Sequence, residues 1–93
     1  MRFKNTYPDV IIVGAGITGC ATALSLAEAG AKVEVIDSYH PGAMASGWTL
    51  AGVRQSGRDP AEMELAKKAV RIWETLDLHL DTMTGYRQTG NLR

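Results

Sequence analysis

Three glycines follow a short apolar run near the N-terminus in the order G-x-G-x-x-G. Gly14, Gly16 and Gly19 come directly after Val10–Val13. The first allows a tight turn, the second lacks the Cβ that would block a pyrophosphate, and the third lets a helix pack closely on a sheet. Free N–H groups and the positive dipole end at the start of that helix favour an anion. The spacing predicts a dinucleotide site, and glycines that serve only turns and packing are the alternative.

An acidic residue stands where the ribose of such a dinucleotide would lie. Asp37 closes the second apolar run, about 20 positions after the glycines. A carboxylate there accepts hydrogen bonds from the ribose hydroxyls of an adenosine and repels a 2′-phosphate, which argues against NADP. The alternative is that Asp37 is a solvated turn residue, because aspartate is common where strands end.

The elements that would position these residues form a βαβ unit. The β-branched run Val10–Val13 predicts a strand covered on both faces, and residues 32–36 predict a second strand. Between them the apolar spacing predicts a helix that ends at Gly30. The apolar positions of this helix are Ile17, Cys20, Ala21, Leu24 and Ala27.

The second half of the chain predicts a loop, a long helix and the start of a further strand. Residues 38–57 are rich in small residues and show no period. Asp59 and Pro60 then provide a helix N-cap and a favourable first helical residue. Residues 84–93 regain strand character. The apolar stripe of the helix comprises Met63, Ala66, Ala69, Val70, Trp73, Leu76 and Leu80.

Composition excludes several classes of protein. Ten basic and ten acidic residues balance without a basic stripe, which argues against a nucleic-acid partner. The single cysteine, Cys20, excludes an internal disulfide and suits a reducing compartment, and two distant histidines predict no metal site. No signal peptide or membrane span is expected. We therefore expect a cytoplasmic protein.

Three segments together resemble the FAD-dependent D-amino acid oxidase family, which includes glycine, sarcosine and dimethylglycine oxidoreductases. They are VIIVGAGITGCATALSLAEAGAKVEVID, MASGWTLAGVRQSGRDPAEMELAKKAVRIWE and GYRQTGNLR. The resemblance implies FAD as cofactor and an amine or amino acid as substrate, whose C–N bond is oxidised to an imine. It also implies that the catalytic residues lie in later sequence, so none is named here.

The same resemblance implies which residues meet the cofactor. The first group would line the pyrophosphate, Asp37 and Ser38 would meet the adenosine ribose, and the last group would run towards the isoalloxazine ring. The first group is Gly14, Ala15, Gly16, Ile17, Thr18 and Gly19, and the last is Ala45, Ser46, Gly47, Trp48, Thr49, Ala51 and Gly52. The alternative for the last group is a flexible surface loop. Thr49 aligns with a histidine that holds flavin covalently in some relatives, so no covalent link is expected.

Length limits what these residues can do alone. Two parallel strands cannot cover both faces of their own sheet. We expect residues 1–93 to be the N-terminal portion of an FAD-binding domain, without the substrate domain, and not to retain FAD tightly. A stand-alone NAD- or ADP-binding module and a non-catalytic subunit completed by a partner chain are the alternatives. Arg54 could hold a carboxylate or tune the flavin charge, or form an ordinary salt bridge.

Overall fold

A parallel βαβ unit forms the first half of the chain. The computed structural model describes residues 7–90. Strand β1 (Val10–Val13), helix α1 (Ile17–Glu28) and strand β2 (Val33–Ile36) follow in that order, and the two strands pair in parallel from Val10↔Val33 to Val13↔Ile36. The predicted α/β unit with its two strands and intervening helix is confirmed.

The end of α1 shows why the chain can turn back into β2. Gly30 has φ +96, its N–H donates to the Ala27 carbonyl at 3.0 Å, and the Ala31 N–H donates to the Leu26 carbonyl at 3.0 Å. These two bonds satisfy carbonyls that the helix end leaves without partners, in the pattern of a Schellman motif. Glycine adopts this left-handed backbone without steric cost, so the predicted helix end is confirmed.

The face that α1 turns to the sheet differs from the predicted one. Gly19, Ala23 and Leu26 are its half-buried positions, whereas Ile17 is 64% exposed and Leu24 also stays exposed. A Cβ at Gly19 would meet the Ile12 side chain at 3.4 Å, so the smallest residue faces the sheet. The predicted stripe is wrong because α1 is apolar on both sides, and close approach at Gly19 selects the face.

The second half begins a separate compact unit, with the boundary between Leu50 and Ala51. A 3-10 turn (Pro60–Glu62) leads into helix α2 (Met63–Leu80), and the Asp59 Oδ1 atom accepts from the Ala61 N–H at 2.9 Å as the predicted cap. Neither described helix is both long and apolar enough to cross a bilayer. Most of the predicted stripe is half-buried, namely Met63, Ala66, Val70, Trp73 and Leu76, while Ala69 and Leu80 are exposed.

The chain that leaves α2 folds back onto it. The Asp77 Oδ1 atom accepts from the Thr84 N–H at 3.0 Å and from the Thr84 hydroxyl at 2.5 Å. The rings of Trp73 and Tyr86 lie 5.7 Å apart. Within residues 84–90 the predicted strand is not formed, because these residues pair with no other strand there and are held by α2 instead. Residues 91–93 of that prediction lie outside the described residues.

Candidate cofactor site

The glycine turn joins the end of β1 to the start of α1. Gly14 has φ +109, a conformation that favours glycine, and its N–H donates to the Ile36 carbonyl at 2.7 Å. Ala15 is 5% exposed and is the one buried residue among residues 7–90. A Cβ at Gly19 would overlap the Gly14 carbonyl oxygen, so the turn and the first turn of α1 can approach this closely only with glycine there.

Asp37 is bonded directly to this turn. Its Oδ2 atom accepts from the Ala15 N–H at 2.7 Å, and its Oδ1 atom accepts from the Tyr39 N–H at 2.8 Å. Donation from Ala15, then from Tyr39, lowers the pKa of Asp37 below its ordinary value; partial loss of water opposes this, and His40 adds a smaller favourable charge. The carboxylate is therefore charged, and both oxygens are oriented before any ligand arrives.

The segment from Gly42 to Gly47 closes over the same turn. The Gly42 N–H donates to the Ala15 carbonyl at 2.9 Å, and the Ser46 Oγ atom accepts from the Ile17 N–H at 2.9 Å. A Cβ at Gly47 would overlap the Gly42 carbonyl oxygen, so this segment is tightly folded. The peptide groups on both sides of Ala15 are thus held, one by Asp37 and the other by Gly42.

The start of α1 leaves donors for an anion. Gly16 precedes the helix without a side-chain cap, and the Thr18 and Gly19 N–H groups have no acceptor within the described part of the chain. Helix N-termini with free N–H groups and their positive dipole end bind phosphate oxygens. A Cβ at Gly16 would stand 3.1 Å from the Ser46 Oγ atom, so glycine also keeps this space open. These residues fit the pyrophosphate of a dinucleotide.

The structure brings part of the predicted site together. Residues 14–19, Asp37 and Ser46 meet at one end of the βαβ unit. Ser38 is exposed beside Asp37, and Trp48 follows the 3-10 turn (Ala45–Gly47) with its side chain 76% exposed. Ala51 and Gly52 belong to the second unit. Contacts with the cofactor were also predicted for Ser38, Trp48, Thr49, Ala51 and Gly52, and these contacts stay predictions.

Sequence reasoning missed Gly42 as part of the site. Its N–H holds the Ala15 carbonyl, and its φ of +69 requires a conformation that glycine adopts easily. The signal available was the Pro41–Gly42 dipeptide, which marks a turn but does not indicate where that turn docks. The contact depends on the path of an aperiodic loop, so no spacing rule could have found it.

A second group of polar residues lines a shallow, open groove within the second unit. Arg54, Arg58 and Glu62 lie along it, and Trp73 and Leu65 from α2 form part of its apolar wall. Two cations beside an apolar surface suit an anionic group attached to an apolar body. The Glu62 carboxylate offsets part of this positive charge, and the two arginines suit either a carboxylate or a phosphate.

The family of the chain follows from a match over residues 9–93 to DAO, described as FAD dependent oxidoreductase. This match covers nearly the whole chain, so the protein belongs to that family of FAD-dependent oxidoreductases. The predicted cofactor, FAD, is confirmed as the cofactor of the family, against the NAD-binding alternative.

Two relatives of the chain are both oxidoreductases, but their names do not agree on one substrate. Glycerol 3-phosphate oxidase of Mycoplasma pneumoniae is 38% identical over 60 residues, which are 64% of this chain and 16% of that protein. Uncharacterized oxidoreductase YurR of Bacillus subtilis is 39% identical over 87 residues, 86% of this chain and 23% of that protein. The matched residues thus span less than a quarter of either relative. No solved structure matches the chain significantly.

Proposed function

We propose that this chain supplies the first part of the FAD site in an oxidoreductase that oxidises the C–N bond of an amino acid or a secondary or tertiary amine to an imine. The observation that carries the cofactor part is the joint attachment of Asp37 and Ser46 to the glycine turn. It gathers an oriented carboxylate, a hydroxyl and a helix N-terminus at one end of the βαβ unit. Of these groups, the carboxylate and the helix N-terminus are the ones that bind the ribose and the pyrophosphate of an ADP moiety in dinucleotide-binding folds.

Each group has a separate task in this proposal. The Thr18 and Gly19 N–H groups and the α1 dipole would hold the pyrophosphate, and Asp37 would accept from the ribose hydroxyls. Residues 45–52 would continue towards the flavin ring. FAD, when bound, supplies the electron acceptor for the reaction, while the chain orients it and excludes a 2′-phosphate through the charge of Asp37.

The amine substrate is supported by the resemblance of residues 44–74 to amine oxidoreductases and by the two arginines of the groove. Arg54 and Arg58 provide cations that could hold a substrate carboxylate. A second candidate comes from the relative named glycerol 3-phosphate oxidase, which favours oxidation of a phosphorylated alcohol. The same arginines suit its phosphate, so the two candidates differ in the bond oxidised and in the anionic group.

Anaerobic reduction of the bound flavin separates the candidates. The test uses the full-length protein that carries this FAD-binding portion, because residues 1–93 alone are not expected to retain FAD tightly. The FAD-loaded protein is mixed in turn with glycine, sarcosine, dimethylglycine and glycerol 3-phosphate, and loss of the visible flavin absorbance is followed. Bleaching by one of the amines supports the proposal, and bleaching by glycerol 3-phosphate alone replaces it with the second candidate. Protection of the chain from proteolysis by NAD but not by FAD would instead support a nucleotide-binding module.

We also infer that further protein covers the sheet face opposite α1. Ile11, Val13 and Ile36 lie on that face, and Val13 is 86% exposed. Parallel sheets are normally covered by helices on both faces. Either more of the same polypeptide or a partner chain would cover these residues. A partner that co-purifies with the chain would support coverage by a partner chain.

A further inference from the structure

We propose that the groove of the second unit is a docking surface for later residues of the full-length polypeptide, and that it takes a segment with a carboxylate beside an apolar side chain. Arg58 would hold the carboxylate, and Leu65 would contact the apolar side chain. The inference goes beyond the proposed function. Of the two arginines in the groove, it assigns Arg58 to protein docking and leaves Arg54 for a substrate anion.

The charged side chains of the groove have no partners within residues 7–90. Arg58 and Glu62 are exposed, and neither side chain forms an ion pair or a hydrogen bond with a described residue; the same holds for Arg54. Two cations and one carboxylate leave a net positive charge along the groove. A further carboxylate complements that charge, and arginine suits it because the guanidinium can bind both carboxylate oxygens at once.

The apolar wall of the groove favours an apolar neighbour beside that carboxylate. Leu65 is 74% exposed, whereas Val70 and Trp73 on the same wall are half-buried. Covering the exposed part of this wall would remove apolar surface from water, which favours association. Arginine and tryptophan are also enriched where proteins meet. The groove therefore has the composition of a protein interface.

The shape of the groove favours a protein segment over a small molecule. Pockets for small ligands are concave and enclose most of the surface of the ligand. This groove is shallow and open, so alone it would leave a small ligand largely in water. A protein segment instead brings its own surface to cover the wall.

The charge of the groove indicates where that segment comes from. Residues 1–6 and 91–93 contain Arg2, Lys4 and Arg93 and no acidic residue, so they repeat the charge of the groove rather than complement it. The matched residues make up only 16% and 23% of the two relatives, so a full-length protein of that size has ample further sequence. We therefore assign the docking segment to later residues of the same polypeptide.

Thiol labelling of the full-length protein tests whether the groove is covered. Leu65→Cys places a thiol in the groove, and Leu78→Cys places one outside it on α2, where Leu78 is 86% exposed. Reaction with a maleimide is followed at each site by peptide mass spectrometry, without substrate. We expect the thiol of Leu65→Cys to react about tenfold more slowly than that of Leu78→Cys, because it reacts only when the docked segment opens.

A second substitution tests the charge. Arg58→Gln removes the cation from the groove, and Lys68→Gln removes one from α2 outside it. Combined with Leu65→Cys, Arg58→Gln should raise the labelling rate about threefold, as for loss of a partly exposed ion pair. Lys68→Gln should leave the rate unchanged. The labelling rate of Cys20 should be the same in both combinations, which shows that the effect of Arg58→Gln is local.

The opposing results are equally specific. Equal labelling of Leu65→Cys and Leu78→Cys would overturn the docking surface. Protection of Leu65→Cys that appears only with an added amine substrate would assign the groove to a small molecule, and protection that depends on protein concentration would assign it to a second copy. Protection that Arg58→Gln does not weaken would overturn the acidic segment. Labelling does not require activity, so a failure of amine oxidation would leave this test intact.

Discussion

Asp37 and Asp77 show how two regions of the chain use the same chemical group in different ways. Each is an exposed carboxylate that accepts two hydrogen bonds, and in each these bonds lower the pKa. Asp37 receives one bond on each oxygen, from Ala15 and from Tyr39, whereas both bonds of Asp77 come from Thr84 to a single oxygen. The first carboxylate links the ends of two elements, and the second closes a local turn.

The difference between the two carboxylates reflects what stabilises the region around each of them. The site region, residues 7–50, has one buried residue among those described, Ala15, and that residue is held by polar bonds to distant segments. The α2 region instead depends on an apolar stripe and the Trp73–Tyr86 ring contact, with Asp77 fastening the chain at its end. Steric changes should therefore damage the first region most, and loss of apolar surface should damage the second.

The largest effect is expected for Gly19→Ala. The new Cβ would overlap the Gly14 carbonyl oxygen and lie 3.0 Å from the Gly14 carbonyl carbon, both backbone atoms that cannot rotate away. We expect a loss of about 3 kcal/mol in the free energy of unfolding. That exceeds the ~1 kcal/mol that alanine gains over glycine in a helix. Urea unfolding followed by circular dichroism measures it.

Gly52→Ala is the matched control in the second region. No atom lies within 4 Å of a Cβ placed there, so its urea midpoint should stay near that of the wild type. A Gly19→Ala midpoint that matched this control would show that the glycine turn is not sterically closed.

A smaller loss is expected from Trp73→Ala in the α2 region. Trp73 is half-buried and contacts the Tyr86 ring, so truncation removes apolar contact from the stripe. We expect the free energy of unfolding to fall by about 2 kcal/mol, less than for a fully buried tryptophan. Urea unfolding measures it, and Trp48→Ala, which truncates a 76% exposed tryptophan, is the control. Equal effects of the two variants would contradict the packing role of Trp73.

The elements of both regions were predictable where local signals agreed. Val10–Val13, the glycines and the Gly30 helix end all indicate the same βαβ unit over short distances. Asp59 and the apolar period of residues 63–76 likewise predicted α2. In each case the backbone conformation is favoured by residues within a few positions, so tertiary contacts did not have to be known.

The contacts that complete the site were not predictable because they depend on the path of the loop. Ser46 lies 29 positions from Ile17, and the intervening segment has no hydrophobic period. The buried face of α1 was also missed, since apolar residues occupy both sides and only the close approach at Gly19 selects one. The predicted strand at 84–90 needs a neighbouring strand, and local composition cannot supply that.

The same substitution at the two carboxylates should separate their roles. Asp37 accepts from Ala15 on one oxygen and from Tyr39 on the other, so Asp37→Asn turns an amide NH2 group towards one of these two N–H donors. The substitution also removes the charge that favours ribose hydroxyls. We expect ADP binding to weaken about tenfold. Asp77→Asn makes the same chemical change away from the glycine turn, and its ADP affinity should match the wild type. Equal losses in the two variants, measured by amide shift titration, would refute a specific ribose role for Asp37.

The smallest effect is expected from Thr84→Val, which removes the hydroxyl donor to Asp77 and keeps the backbone donor. The Thr84 hydroxyl is the largest cause of the lowered pKa of Asp77, so this pKa should rise towards its ordinary value. A carboxyl whose pKa is lower in the folded state stabilises the protein above its unfolded pKa. That contribution disappears as the pH falls through the folded value.

Thermal melts between about pH 7 and pH 2 therefore measure how much the Thr84 hydroxyl bond to Asp77 stabilises the protein at each pH. The melting temperature of Thr84→Val should lie about 2 °C below that of the wild type at neutral pH. The gap should narrow as the pH falls through the lowered pKa of Asp77, because both proteins then carry protonated Asp77. The part of the gap that comes from the lost Tyr86 N–H bond to the Thr84 hydroxyl should remain. Thr75→Val, an exposed change on α2, is the control and should show no such pH dependence. The titration of Asp37 should be the same in all three proteins, since its donors are Ala15 and Tyr39; a shift at Asp37 in Thr84→Val would mean that the two carboxylates are coupled.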